Sequence, residues 1–103
     1  MIKEITPKEF ALLDHNDYEL IDVRTKEEFE LVNIGGKLIP LDEINNRYDE
    51  ILGKNKIILL CHHGRRSLIA CQILEQNGLK NLYNLKGGID RIAIDVKPDL
   101  TRY

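Results

Sequence analysis

Tryptophan is missing from this chain, and cysteine is scarce, with two in 103 residues. Two cysteines cannot staple a small disulfide-rich secreted scaffold, so the fold has to rest on a core. Neither sign of charge dominates: 15 Lys and Arg face 17 Asp and Glu, for a net charge of -2 with histidine neutral. A basic stripe able to neutralise a phosphate backbone is therefore lacking, which argues against a nucleic-acid partner, and the same balance argues against a polybasic membrane anchor. No apolar run approaches the roughly 18 residues of a membrane span. The opening segment Met1 to Phe10 carries Lys3, Glu4, Lys8 and Glu9 and has no signal-like apolar stretch, so no membrane partner and a cytoplasmic location are expected. Repeats, low-complexity tracts and Pro- or Ser-rich linkers are also lacking, and residues 1–103 read as one domain. A chain of this length buries roughly two thirds of its unfolded surface, enough for one core.

What is present alternates. Thr6-Pro7-Lys8-Glu9 combines an N-cap residue, proline at the first helical position and glutamate three residues after the cap, which predicts a short helix through Phe10, Leu12 and Leu13. Tyr18 to Val23 reads as a buried strand holding one carboxylate, Asp22. Thr25-Lys26-Glu27-Glu28 is a second capping box, leading into Phe29, Leu31 and Val32. After Gly35-Gly36, Lys37 to Leu41 predicts a brief strand, and Asp42 is placed to cap a helix carrying Ile44, Tyr48, Ile51 and Leu52. Ile57-Ile58-Leu59-Leu60 is continuously apolar, as expected of a central parallel strand covered on both faces. Ser67 to Asn77 has helical spacing in Leu68 or Ile69, Gln72, Ile73 and Gln76, with Gly78 as its stop. Asn81 to Leu85 predicts another strand, and Gly87-Gly88 opens a last helix to about Ile94. This alternation implies a three-layer α/β domain with a mostly parallel sheet and helices on both faces. Ligands in such sheets bind beyond the carboxyl ends of the strands, where Cys61 follows the most apolar one.

Cys61-His62-His63-Gly64-Arg65-Arg66-Ser67 lies between that strand and a helix N-terminus. Backbone N–H groups and the helix end favour an anionic sulfur, and His62, His63, Arg65 and Arg66 add positive charge around it. Gly64 lets the loop curl closely. These residue types in this order point to Cys61 as a nucleophile and to residues 62–67 as an anion cradle.

The loop resembles the active-site loop of the rhodanese sulfurtransferases, a cysteine, two variable residues, glycine and a short polar stretch ending in serine or threonine. Ile21-Asp22-Val23-Arg24 with Glu27-Glu28-Phe29, Leu38-Ile39-Pro40-Leu41, and Asn84-Leu85-Lys86-Gly87-Gly88-Ile89 are similar to further family motifs, in the same order. Cys61-His62-His63-Gly64 and the tail residues Val96, Pro98, Arg102 and Tyr103 are most similar to rhodanese-like domains fused to adenylyltransferases of the ubiquitin-activating type. The resemblance implies a five-stranded sheet and relay of a sulfane sulfur through a Cys61 persulfide, with no cofactor. It further implies a small donor such as thiosulfate, and a thiol or a sulfur-carrier protein as acceptor. His62, His63, Gly64, Arg65, Arg66 and Ser67 would bind the substrate. Asn33, Gly35-Gly36 and Ile92 stand where the family often has histidine, proline-glycine and tryptophan, departures that bear on substrate identity more than on reaction type.

Other readings compete. Asp22 and Arg24 are read as supporting residues, an ion pair beneath the loop. Cys71, beside Ile69, Ala70, Ile73 and Leu74, reads as core. No metal site is expected from His62 and His63, because adjacent side chains diverge and spaced ligand pairs are lacking. A cysteine phosphatase or arsenate reductase needs five residues between cysteine and arginine, whereas Arg66 follows Cys61 after four. A non-catalytic or redox-sensing binding module is the remaining alternative, since a stabilised thiolate is also what peroxide oxidises.

Overall fold

In the computed structural model, which describes residues 1–53 and 55–103, strands and helices alternate along the chain. They are β1 (Lys3–Ile5), α1 (Pro7–Ala11), β2 (Tyr18–Asp22), α2 (Lys26–Leu31), β3 (Lys37–Leu38), α3 (Ile44–Arg47), β4 (Lys56–Leu60), α4 (Arg65–Gln76), β5 (Leu82–Leu85) and α5 (Gly88–Asp95), with short 3-10 turns between some of them. All the strand pairings are parallel, in the order β1-β5-β4-β2-β3.

β4 is the centre because its side chains serve both faces. Ile57, Leu59 and Cys61 point into one core cluster with Ile21, Ile44, Ala70 and Leu74, while Ile58 and Leu60 point into the other with Ile5, Leu20, Ile89 and Ile92. A strand covered on both sides has no room for polar alternation, which is why Ile57 to Leu60 read as one apolar run. Both capping boxes form: the Thr6 side chain accepts from Glu9 N–H and the Thr25 side chain from Glu28 N–H, each returned by the glutamate. Among the described residues no helix is long and apolar enough to cross a membrane.

Three local expectations are corrected. β3 holds only Lys37–Leu38, because the chain turns at Pro40 into a 3-10 turn. Asp42 lies inside that turn rather than at a cap, and the expected helix is broken into α3 flanked by 3-10 turns at Leu41–Glu43 and Tyr48–Glu50. In α4 the buried stripe is Ser67, Ala70, Cys71 and Leu74, whereas Leu68 and Ile69 are 40% and 46% exposed. Small residues at three of these four positions let α4 pack close to the sheet, and Leu74 is the large aliphatic of the stripe. The edge strand β1, with only Ile5 buried, supplies the fifth strand.

β3 and β4 flank β2 on opposite sides, and the connection after β3 crosses back over β2. The carboxyl ends of β2 and β4 therefore meet where the strand order reverses, the place such sheets bind ligands. Asp22 is in register with Leu60, so Cys61 emerges beside Val23 and Arg24.

Arg24 has no exposed side-chain surface and is paired with an equally buried Asp22 at 2.8 Å. Its remaining donors reach the Val32 carbonyl at 2.7 Å and the Tyr103 hydroxyl at 3.0 Å. Removing one partner of such a pair strands the other charge. Arg24→Met is expected to lower unfolding free energy in urea by about 3–5 kcal/mol. Adding Asp22→Asn to that variant should recover part of the loss, whereas an additive loss in the double variant would mean the two side chains act separately.

Candidate active site

Cys61 leaves β4 with 1% of its surface exposed, and the chain reverses over three residues into α4. Gly64, at φ +102°, makes the reversal and directs its N–H to Cys61 Sγ at 3.0 Å. That conformation suits glycine alone among common residues. Ser67, fully buried on the first turn of α4, places its Oγ 3.2 Å from the same sulfur. Cys61 thus accepts from a loop amide at the start of a twelve-residue helix, with the Ser67 hydroxyl beside it; the amide and the helix end favour negative charge on sulfur.

The β5–α5 turn closes the other side. Ile89 N–H donates to Cys61 O at 2.9 Å and Asp90 N–H to His62 O at 3.2 Å. The opening of α5 and the cysteine loop thereby satisfy each other's backbone groups. A Cβ at Gly88 would fall on the carbonyl groups of Cys61 and His62. Gly88 is therefore required for close backbone approach as well as for the turn.

The four basic residues of the loop separate into different roles. Arg66 is held by Glu28 through two hydrogen bonds of 2.6 and 2.8 Å. The Arg66 guanidinium, then the Tyr103 hydroxyl and the Thr25 backbone, hold the Glu28 carboxyl well below the usual carboxylate range, against the opposing effect of burial. His62 stacks on Tyr103 with ring centroids 3.8 Å apart and 8° between planes. Burial, then the neighbouring His63, push the His62 imidazole below its ordinary value, so it is neutral at neutral pH and adds no charge there. His63 lies 3.8 Å from Asp90. Arg65, exposed on the first turn of α4, is the guanidinium that faces solvent beside the loop. Charge near Cys61 is thus smaller than four basic side chains suggest.

His62 and His63 do not diverge; their rings stack at 3.8 Å, and with Asp90 they bring three ligand-type atoms within 4.8 Å of one another. Asp90 is already bound by Arg102 at 2.8 Å, which competes with any use of its carboxylate as a ligand. Cys71 is fully buried on the inner face of α4, and burial, then Glu75, push its thiol up to about 12. It stays protonated at neutral pH.

Three residues join the site that the sequence offered only as parts of motifs, with no role at the loop. Asn84, on β5 and 4% exposed, accepts from Ser67 Oγ and donates to Gly64 O at 3.0 Å. Its signal was available, a polar residue inside an apolar strand. Glu28 was read as a capping-box residue and as part of a family-like motif, and nothing local indicates that it also binds Arg66 and Tyr103. Tyr103 reaches the loop from 75 residues beyond Glu28, to which its hydroxyl donates at 2.6 Å.

A strand-end cysteine, a glycine reversal and a parallel sheet of this order define a class, and residues 6–95 match the Rhodanese-like domain. The chain belongs to that family. It is 38% identical over 98 residues to the uncharacterized protein YqhL of Bacillus subtilis, covering 94% of this chain and 77% of that one. It is 35% identical to a sulfurtransferase of Allochromatium vinosum, covering 86% of each chain. The probable adenylyltransferase/sulfurtransferase MoeZ of Mycobacterium tuberculosis is 35% identical over 96% of this chain, which spans 26% of that protein. The crystal structure of a rhodanese-related protein from Thermoplasma volcanium superimposes with a TM-score of 0.84 at 25% identity, covering 98% and 99% of the two chains.

Because the Glu28 carboxyl titrates below its unfolded value of about 4.3, its ion pair contributes fully above about pH 5 and loses strength as pH falls below that unfolded value. Glu28→Gln is expected to lower Tm at pH 7, and the gap from the parent should narrow at pH 3. A gap equal at both pH values would assign Glu28 to packing alone.

Proposed function

We propose that this chain is a sulfurtransferase that carries sulfur on Cys61 as a persulfide. The observation that carries the reading is the Gly64 N–H donated to a sulfur held at the strand-end switch point, beneath a helix N-terminus. The Cys61 thiolate attacks the sulfane sulfur of a donor such as thiosulfate. One S–S bond forms as the donor's S–S bond breaks, and sulfite leaves with the electron pair. An acceptor nucleophile, a thiol or a sulfur-carrier protein, then attacks the outer sulfur and Cys61 departs as thiolate. The relay is redox-neutral and needs no cofactor. Residues 62–67 line the path of donor and departing anion, with Arg65 drawing the charge, while Asp22 and Arg24 support the loop from below. The names of the Allochromatium and Mycobacterium relatives, a sulfurtransferase and a probable adenylyltransferase/sulfurtransferase, support sulfur transfer. Arg66, committed to Glu28, is not free to clamp a phosphoryl group, which disfavours the phosphatase alternative.

Intact mass after exposure to thiosulfate should rise by one sulfur atom and fall back on addition of cyanide. Cys61→Ser should abolish both changes while keeping the fold, and Cys71→Ser should retain most activity. Sulfur loading at parental level in Cys61→Ser would overturn the assignment. Oxidation by peroxide with no gain of sulfur would instead favour the redox-sensing reading.

The two arginines should behave differently. Arg65→Ala is expected to raise the thiosulfate KM by roughly tenfold, the scale of one charge-assisted contact, with little change in alkylation by neutral iodoacetamide. Arg66→Ala should chiefly lower stability by freeing Glu28. Equal losses toward anionic and neutral reagents in Arg65→Ala would reduce that residue to shaping the loop.

A further inference from the structure

We infer that Asn84 is a positioning residue, which acts through Ser67 to set the direction of the hydrogen bond at Cys61. The inference rests on the reading of Cys61 as the reacting sulfur. Two partners orient the Asn84 amide: Nδ2 donates to Gly64 O at 3.0 Å, and Oδ1 accepts from Ser67 Oγ. Exchanging oxygen and nitrogen would set the amide oxygen against the Gly64 carbonyl, so one orientation is selected. A serine hydroxyl has one proton, and here it is spent on Asn84. Ser67 therefore turns a lone pair toward Cys61 Sγ, 3.2 Å away, and only the protonated thiol can satisfy it. The result is a closed ring. Gly64 N–H donates to sulfur, the thiol donates to Ser67, Ser67 donates to Asn84, and Asn84 donates to the Gly64 carbonyl.

Ionisation of Cys61 breaks this ring at a defined point. The S–H bond breaks and its proton leaves to water, after which the sulfur is an acceptor only. Ser67 keeps its own O–H bond and turns that proton from Asn84 Oδ1 to Sγ, so Asn84 loses its donor while its contact with Gly64 O remains. Forming the thiolate thus costs the Ser67–Asn84 hydrogen bond. Asn84 thereby adds to the cost of ionising Cys61 and restrains its reactivity.

The pH profile of alkylation by iodoacetamide reads this directly, because the reagent is neutral and needs no sulfur transfer. In Asn84→Leu the Ser67 proton is free for sulfur from the start. The alkylation rate on the rising limb of the profile should increase about fivefold, the worth of one ordinary hydrogen bond, with the high-pH plateau largely unchanged. In a Ser67→Ala background the same substitution should leave the profile where it was. A profile that Asn84→Leu does not move, or moves equally without Ser67, would overturn the inference. Asn84 is buried and the leucine variant has to be shown folded, so a second measurement leaves the ring intact. In Cys71→Ala protein the infrared S–H band of Cys61 should lie at the position of a hydrogen-bonded donor, and it should move toward that of a free thiol in Ser67→Ala. A free-thiol band with Ser67 and Asn84 present would overturn the inference. Failure to load sulfur from thiosulfate would count against the proposed function alone, since neither of these readouts uses a sulfur donor.

Discussion

A guanidinium with no exposed surface organises the carboxyl end of this sheet. Arg24 leaves the end of β2, pairs with Asp22 in the same turn, and uses its other donors on the end of α2 and on the last residue of the chain. Burying that charge is unfavourable unless its donors are met, so the end of β2, the Val32 carbonyl and Tyr103 are held in one arrangement. The consequences run outward. Tyr103, held by Arg24, donates to Glu28 and stacks on His62, and Glu28 in turn holds Arg66 on the first turn of α4. Both sides of the Cys61 loop are thereby fixed by contacts that begin at a residue the sulfur does not touch.

The loop itself is held by backbone proximity. Gly64 provides the reversal, and Gly88 lets the start of α5 come against the carbonyl groups of Cys61 and His62. Two helix N-termini approach one short loop, one through its direct hydrogen bonds to the loop carbonyls and one through the turn that follows the cysteine. Helix dipoles and fixed N–H groups need no reorganisation when charge develops, unlike long side chains at a surface. This explains how the site can dispense with several of its nominal cations: Arg66 is spent on structure and His62 is neutral at neutral pH.

Local chemistry was readable directly from the chain. A capping box spans four residues, a doubly covered strand is a run of aliphatics, and a cysteine followed by glycine before a helix marks a tight strand-to-helix reversal. Thr6–Glu9, Thr25–Glu28, Ile57–Leu60 and the loop from Cys61 to Ser67 each carry their signal within one turn or one strand. Where the signal was weak or misleading, packing had decided. β1 has one buried residue and exists because β5 pairs with it. The inner face of α4 carries Ser67, Ala70 and Cys71 beside Leu74, so a spacing that started from Leu68 or Ile69 missed part of the buried stripe, although Cys71 was read as core.

Composition and spacing by themselves therefore determined the alternation of elements, the central strand, the cysteine at its end and the glycine turns around it, since each depends on interactions within a few residues. Only the tertiary structure decided which basic residues carry free charge and which polar groups stand behind the sulfur. Glu28 meets Arg66 across 38 residues, Asn84 meets Gly64 across 20, and Tyr103 meets Arg24 across 79. No periodicity encodes those distances. They arise because a parallel sheet with reversed strand order gathers the ends of β2, β4 and β5 at one edge, where buried charges and amides must find partners or be excluded.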